Sequence, residues 1–242
     1  MATVRTTSFN AISSAAAGTP ASRIDVSARV STTDTLMVTY GYVALVSIVN
    51  ARWDVSGADT ALTTAGGATV VGSNIKAFYL NDPAAGEHIL RVQMEASSAE
   101  KAVGVHLFSN TNSTVPLGTL AIAANTTDDP EVTVSSTANE IVIDGLCFRS
   151  SGDVSAASSA VQGPDQTKAW DRYPNGHVNL NALSSYQTGE VSTRMSWTEN
   201  FGALAAWTQI AIPVNATASA GAPASGGSAK ATRLLPLVFA GR

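Results

Sequence analysis

The sequence offers few residues for covalent or metal-based structure and for catalysis. Cys147 is the one cysteine among 242 residues, so the chain cannot form an internal disulfide or a site with several cysteine ligands. Its neighbours are apolar, which is typical of a buried and unreactive thiol. The three histidines, His88, His106 and His177, lie far apart and are predicted to be structural. Because no nucleophile elbow, phosphate-binding loop or zinc-protease motif is present, we expect no catalytic residue, cofactor or metal, and the chain is predicted not to be an enzyme.

Charged residues are also scarce. They make up 13% of the chain and leave a net charge of −4, so no basic stripe is available to neutralise a phosphate backbone and we expect no nucleic-acid partner. No apolar run approaches the roughly 20 residues that span a bilayer, and residues 1–10 lack the apolar core of a secretory signal. The sequence therefore predicts a protein made in a cytoplasm, without a membrane partner.

One loop concentrates carboxylates. Asp128, Asp129 and Glu131 flank Pro130, and carboxylate oxygens are ligands that Ca²⁺ prefers. The alternative is a solvated turn in which the aspartates cap their own backbone. We adopt the second interpretation.

What the sequence does contain is β-strand patterning along most of its length. Residues 24–30 alternate between apolar and polar side chains, which predicts a strand buried on one face. Residues 36–50 are apolar at both parities, the pattern of inner strands covered on both faces, and Gly41 is interpreted as a bulge or turn within them. Further strands are predicted over residues 102–108, 115–123, 131–135, 140–148, 191–198 and 205–213.

Two hairpins are predicted from strand patterns on either side of turn residues. The first joins residues 75–80 to 89–93 through 81–88, in which residues 81–86 supply Asp-Pro and Gly at a reversal. Alternation in its second arm leaves open which face of that arm is buried. The second hairpin joins residues 191–198 to 205–213. With the other strands, these patterns predict an all-β antiparallel fold.

The remaining segments divide the chain. Residues 1–22 are rich in Ser, Thr and Ala and are predicted to be an N-terminal arm, either flexible or ordered on a neighbour. Residues 23–214 are the predicted domain, and residues 164–189 within it are interpreted as a long loop, of the kind that is often functional. Residues 215–242 are predicted to be a linker with an apolar tail.

A further feature of the sequence is the order along the chain of the segments that carry apolar packing residues and turn residues. The segments that carry it are residues 33–38, 49–62, 77–86, 141–144, 195–198 and 206–207. This order, which covers residues 24–214, resembles the jelly-roll β-sandwich module of phage virion structural proteins of the capsid decoration or head-fibre type, and of bacterial surface proteins. The resemblance implies a β-sandwich of jelly-roll type with an extended N-terminal arm and a C-terminal tail.

The function that the resemblance implies is that of a non-enzymatic structural protein on the exterior of a phage-like virion, as a capsid decoration, head-fibre or tail-associated protein. Its partners would be other virion proteins, namely the major capsid or tail protein.

The apolar tail ends in a hexamer, residues 234–239. An exposed apolar segment of this kind aggregates unless it docks, so the tail is predicted to dock on its own domain or on a neighbouring subunit. A homo-oligomer, with a trimer as the leading arrangement, would bury it. The docking residues are Leu234, Leu235, Leu237, Val238 and Phe239.

The alternative is a carbohydrate-binding module. Sandwich folds often bind sugars by stacking an aromatic ring on the sugar face, and the predicted loop carries two aromatic residues, Trp170 and Tyr173. In this interpretation the partner is a host-surface glycan. Loss of glycan binding in Trp170→Ala would distinguish it from the virion interpretation.

Overall fold

The structure is a computed structural model that describes residues 4–14, 21–44, 46–70, 73–98, 101–126, 129–150, 160–172, 180–198 and 204–217. Within these ranges the chain forms seventeen β-strands and no helix. In chain order the strands are β1 (Arg5–Ser14), β2 (Ala21–Val30), β3 (Leu36–Val43), β4 (Ile48–Val55), β5 (Ala58–Ala61), β6 (Thr63–Val70), β7 (Ser73–Asn81), β8 (Gly86–Ser98), β9 (Lys101–Ser109), β10 (Ala121–Asn125), β11 (Glu131–Val134), β12 (Ile141–Ser150), β13 (Val161–Gln162), β14 (Thr167–Arg172), β15 (Leu180–Thr188), β16 (Thr193–Thr198) and β17 (Leu204–Val214).

The strands form four antiparallel sheets. The outer sheet has the strand order β2-β8-β4-β5, and the central sheet has the order β1-β9-β3-β7-β6. The facing sheet has the order β10-β17-β12-β15-β14, and the small sheet has the order β11-β16-β13. The prediction of an all-β antiparallel sandwich is confirmed, whereas the jelly-roll connectivity is not.

The sheets stack as layers because their strands bury apolar side chains on alternating positions. Trp53 of β4 and Leu90 of β8 form one apolar cluster with Phe78 of β7, which joins the outer and central sheets. A second cluster joins the central and facing sheets, and it includes Tyr40 of β3 and Ile143 of β12. Two smaller clusters lie between the facing and small sheets. The central and facing sheets are therefore covered on both faces.

Strand β3 shows how the sequence sets this layering. All eight of its residues are buried, as the apolar pattern at both parities predicts. Tyr40 and Tyr42 belong to the cluster against the facing sheet, while Met37 and Val43 belong to the cluster against the outer sheet. Strand β2 alternates between buried and exposed residues over Ile24–Val30, which confirms a strand buried on one face.

Both predicted hairpins are wrong. Strands β7 and β8 follow each other along the chain, but β7 pairs with β3 and β6 in the central sheet while β8 pairs with β2 and β4 in the outer sheet. The residues between them carry the chain from one layer to the next. Strand β16 pairs with β11 and β13, and β17 pairs with β10 and β12, so these two strands also lie in different sheets.

The same pairing decides which face of β8 is buried. Leu90 and Val92 are buried against the central sheet. Arg91 lies on the opposite face, where its guanidinium contacts Asp54 at 2.6 Å and Asp59 at 2.5 Å. The open face of the outer sheet is therefore a solvated surface with ion pairs across its strands.

Three segment predictions need correction. Arg5–Ser14 is not an arm but β1, which pairs with β9 at the edge of the central sheet, so the predicted boundary at residue 23 lies too far along the chain. Residues 164–189 are not one long loop, because both β14 and β15 lie within them. Gly41 is neither a bulge nor a turn, since β3 pairs without interruption and a Cβ there would lie 3.1 Å from Ile48 Cδ1.

Candidate functional site

A buried carboxylate joins the facing sheet to the small sheet. Asp144 on β12 has 0% exposure, and its side chain accepts four hydrogen bonds. Oδ1 accepts from the Ser185 amide and from Ser185 Oγ, each at 2.7 Å. Oδ2 accepts from Trp197 Nε1 and Gln209 Nε2, each at 2.7 Å. Both oxygens are thus held by donors from three different strands.

The surroundings of Asp144 indicate a structural role for its carboxylate. Burial raises the pKa of its carboxyl above the usual value, and the hydrogen bonds from Ser185, Trp197 and Gln209 lower the pKa in opposition. A buried carboxylate without its partners is strongly destabilising. Because its four hydrogen bonds all come from the fold, Asp144 anchors β16 on β12.

A second polar contact joins the central and facing sheets. His106 on β9 is fully buried, and its Nε2 lies 2.7 Å from Ser184 Oγ on β15. Ser184 donates its own hydroxyl hydrogen to the carbonyl of Asp144, so His106 Nε2 carries the hydrogen of the first bond. Burial lowers the pKa of His106 to about 3. The imidazole is therefore neutral at physiological pH and serves as a link between two layers.

Aromatic rings and glycines interlock in the same interface. A Cβ on Gly104 of β9 would lie 1.9 Å from Trp170 Cζ2, so the indole occupies the space that a side chain would fill. A Cβ on Gly145 of β12 would likewise lie 2.7 Å from Tyr40 Cδ1. Each sheet thus supplies a glycine against which the other packs a ring. Tyr42 completes the contact by donating its hydroxyl hydrogen to the carbonyl of Leu183 at 3.2 Å.

This placement changes the interpretation of Trp170. It lies on β14 with 6% exposure, and its ring centroid is 5.4 Å from that of Tyr42 in an edge-to-face arrangement. A buried ring has no free face for a sugar, so Trp170 is a packing residue and its prediction as a glycan-stacking residue is wrong. Tyr173, the second predicted residue, lies outside the described residues.

The remaining predicted residues fall into three groups. The tail residues Leu234–Phe239 lie outside the described residues. Cys147 is fully buried, and burial raises the pKa of its thiol to about 12, as expected for an unreactive cysteine. In the carboxylate loop, Glu131 forms an ion pair with Arg194. No group of three or more metal-ligating side chains occurs within the described ranges.

A polar groove of about 360 Å³ follows the edge of β16. Pro164 has no amide hydrogen and Asp165 adopts φ 65°, so the chain turns away and β13 pairs with β16 over two residues. Gln166 continues the pairing with its side chain: Oε1 accepts from the Ser196 amide and Nε2 donates to Ser185 Oγ, both at 2.7 Å. The groove walls are mostly hydroxyl, amide and carboxylate groups.

A second cleft, of about 340 Å³, lies between the edge of the central sheet and the start of β4. Lys76 on β7 reaches across it and donates to the carbonyls of Ile48 and Val49, each at 3.2 Å. Asn74, two residues earlier on β7, donates from Nδ2 to the carbonyl of Val46 at 2.8 Å. These contacts bind β7 to the β4 segment and leave the cleft open beside them.

Comparison with known proteins gives this chain no family. No protein-family model matches it, and neither a curated protein nor a solved structure matches it. No helix among the described residues is long and apolar enough to cross a membrane. The interpretation of function therefore depends on the chain's own geometry.

Proposed function

We propose that this protein is a non-enzymatic structural protein of a phage-like virion, on the exterior of the particle as a capsid decoration, head-fibre or tail-associated protein. In this proposal the major capsid or tail protein is its partner and the virion its location. Copies of the chain associate with one another, with a trimer as the leading arrangement.

One observation carries the proposal: the buried groups most suited to chemistry are used to join layers. Asp144 joins the facing and small sheets, and His106 joins the central and facing sheets. Cys147 of the facing sheet is buried in the same interior. Its backbone carbonyl accepts a hydrogen bond from Ser73 Oγ of the central sheet. None of the three lines the groove at β16 or the cleft at Lys76. This use of polar groups favours a rigid building block over a catalyst.

The sequence beyond β17 supports the assembly part of the proposal. Residues 218–233 are rich in Ala, Ser and Gly, and the apolar hexamer of residues 234–239 follows them. A tether raises the effective concentration of the group that it carries near a partner. The hexamer is the part of the chain that we expect to dock on a neighbouring subunit.

A density gradient of lysate from cells that produce the protein tests the proposal. We expect the protein to sediment with particles at a fixed stoichiometry to a major shell protein, and to stay with them when the particles are banded a second time. Recovery of the protein only in the soluble fractions at the top of the gradient would contradict the proposal.

The glycan-binding alternative has lost its stacking residue Trp170, which is buried.

A further inference from the structure

The cleft at Lys76 has the form of a small-molecule site. Strands β6 and β7 pair with Gly67 opposite Lys76 and Thr69 opposite Asn74, and alternate residues of a strand point to one face. Lys76 and Asn74 therefore lie side by side in the cleft, facing the chain at residues 46–49. Its volume of about 340 Å³ lies at the lower end of the range of roughly 300–1,000 Å³ for ligand pockets.

The ammonium of Lys76 has a donor to spare. It carries three N–H groups, of which two are directed at the neutral carbonyls of Ile48 and Val49. Among the described residues it takes part in no ion pair, and it is the one charged side chain in the cleft lining. The ammonium also lies 5.5 Å from the centroid of the Phe78 ring, which favours this orientation. Its positive charge is thus positioned and uncompensated.

Asn74 supplies the complementary acceptor. The residue is 6% exposed, and its Oδ1 is buried without a hydrogen-bond partner in the described part of the structure. A buried amide oxygen without a donor is costly to the fold, and at the lining of a cleft a water or a ligand can offset that cost. Oδ1 has almost no exposed surface in the structure, and a rotation of the Asn74 amide, which lines the cleft, would bring it to a ligand hydroxyl.

Gly67 makes the room. A Cβ at this position would lie 3.1 Å from Lys76 Cγ. Any side chain at residue 67 would therefore press on the stem of Lys76. Both residues line the cleft, so the absence of a side chain at residue 67 leaves it wider beside the lysine stem.

We propose that this cleft binds a small hydroxycarboxylate, whose carboxylate accepts from Lys76 Nζ and whose neighbouring hydroxyl donates to Asn74 Oδ1. Thr69 offers a further hydroxyl at the rim. A sugar acid has both groups at the required size, either as a free molecule or as the acidic terminal unit of a glycan. A neutral sugar lacks the charge, and a simple carboxylate such as acetate lacks the hydroxyl.

Titration of the full-length, ¹⁵N-labelled protein with glucuronate tests the proposal by NMR. We expect shifts confined to the amides of residues 67–69, 74–76 and 46–49, with a Kd on the order of 1 mM. Glucose and acetate should each bind about tenfold more weakly, the factor that corresponds to about 1.4 kcal/mol. An absence of shifts at these amides, or equal binding of glucose, would overturn the proposal.

Two variants and a matched control sharpen the test. Lys76→Gln keeps a donor for the two carbonyls but removes the charge, and Gly67→Ala keeps the lysine but narrows the cleft. We expect each to weaken glucuronate binding by about tenfold or more. Lys168→Gln removes a lysine from β14 in another sheet and should bind as the natural chain does. Unchanged binding by both cleft variants would overturn the proposal, whereas a lower melting temperature in one of them leaves the other as the deciding variant.

Oligosaccharides that end in glucuronate or in glucose distinguish the two sources of the ligand. Binding of the glucuronate-ended chain with the affinity of the free acid assigns the site to a glycan terminus. Binding of the free acid alone assigns it to a soluble hydroxycarboxylate. Both results support the chemistry of the cleft, and equal binding of the two oligosaccharides contradicts it.

Discussion

At the scale of single residues, Gly104 is the position where a methyl group should do most harm. The indole of Trp170 occupies the space of its missing side chain, with Cζ2 at 1.9 Å from a Cβ built there. Neither β9 nor β14 can move freely, because both lie in paired sheets. We predict that Gly104→Ala lowers the free energy of unfolding by about 1–3 kcal/mol, the usual cost of overpacking a core. Urea unfolding measures it.

The double variant Gly104→Ala with Trp170→Phe is the control. The smaller ring vacates part of the space, so its combination with alanine should cost less than the sum of the two single changes. Additive costs would show that the methyl group is accommodated elsewhere and that the ring contact does not limit residue 104.

His106 makes the folded protein less stable as the pH falls below about 6.5. Burial lowers the pKa of the folded imidazole to about 3 from an ordinary value of 6.5. Between these values the unfolded chain binds a proton that the folded chain does not, so stability falls as the pH falls from 6.5 towards 3, by roughly 4 kcal/mol in total. Burial raises the pKa of Asp144, which gives a slope of the opposite sign above pH 3.8.

We therefore predict that His106→Gln flattens the acid side of the stability profile. Glutamine can donate to Ser184 Oγ but does not titrate, whereas the contribution of Asp144 is the same in both proteins. Urea midpoints measured from pH 7 to pH 4 test this. A slope in His106→Gln equal to that of the natural chain would contradict the prediction.

At the scale of elements, the sequence was informative wherever one strand's own pattern decides the outcome. Alternation over residues 24–30 predicts a strand with one buried face, and β2 has it. The doubly apolar run at residues 36–43 predicts burial on both faces, and β3 shows it. Each of these patterns reflects the immediate surroundings of the strand, which the residues of that strand encode.

The pattern of a single strand does not, however, show which other strands it pairs with. The segment between β7 and β8 contains Asp82 at φ 47° and Gly86 at φ 124°, residues that suit a hairpin turn and a passage between layers equally well. Which of the two forms depends on β3 and β4, more than twenty residues earlier in the chain. The cleft at Lys76 was missed for the same reason, because it exists only where β7 meets β4. The strand character of β14 was missed because its register with β15 shifts at residues 168–170, which breaks the alternation.

In the small sheet, the side chain of Gln166 makes a hydrogen bond to β16 that a neighbouring strand would otherwise make. Gln166 accepts from the Ser196 amide and donates to Ser185 Oγ, so it joins β16 to β15 beyond the end of β13. We predict that Gln166→Ala lowers the free energy of unfolding by about 1–3 kcal/mol, since it leaves a backbone amide without its acceptor. It should also speed hydrogen exchange at the Ser196 amide.

Gln187→Ala is the matched control for this prediction. Gln187 also reaches β16, where its Nε2 donates to the carbonyl of Arg194 at 2.9 Å, but at an exposed position. Water can replace that bond, so we expect a cost of about 0.5 kcal/mol or less. Equal costs for the two variants would show that Gln166 does not hold the edge of β16.

At the scale of the whole molecule, the described residues of the four layers expose few large apolar side chains. The exposed large apolar side chains of the described residues are scattered over several strands and connecting segments, and Val191, at 87% exposure, is the most exposed of them. Isolated apolar residues of this kind are ordinary on a protein surface. Self-association, if it has an apolar anchor, is therefore expected to use the hexamer at residues 234–239.

This expectation leads to a prediction about assembly. Replacing Leu235 and Phe239 together by Ser removes two of the five large apolar side chains of the hexamer and changes no residue of the four sheets. Each buried side chain of this size contributes roughly 1.5–3 kcal/mol, so the loss of both should weaken self-association at least tenfold. Analytical ultracentrifugation should show the natural chain as an oligomer and the double variant shifted towards monomer, with thermal unfolding of the sheets unchanged. Val191→Ser, which removes an exposed apolar side chain outside the hexamer, should keep the natural oligomer. If the double variant associates as the natural chain does, the hexamer is not the anchor; a natural chain that sediments as a monomer would remove the oligomeric part of the proposed function.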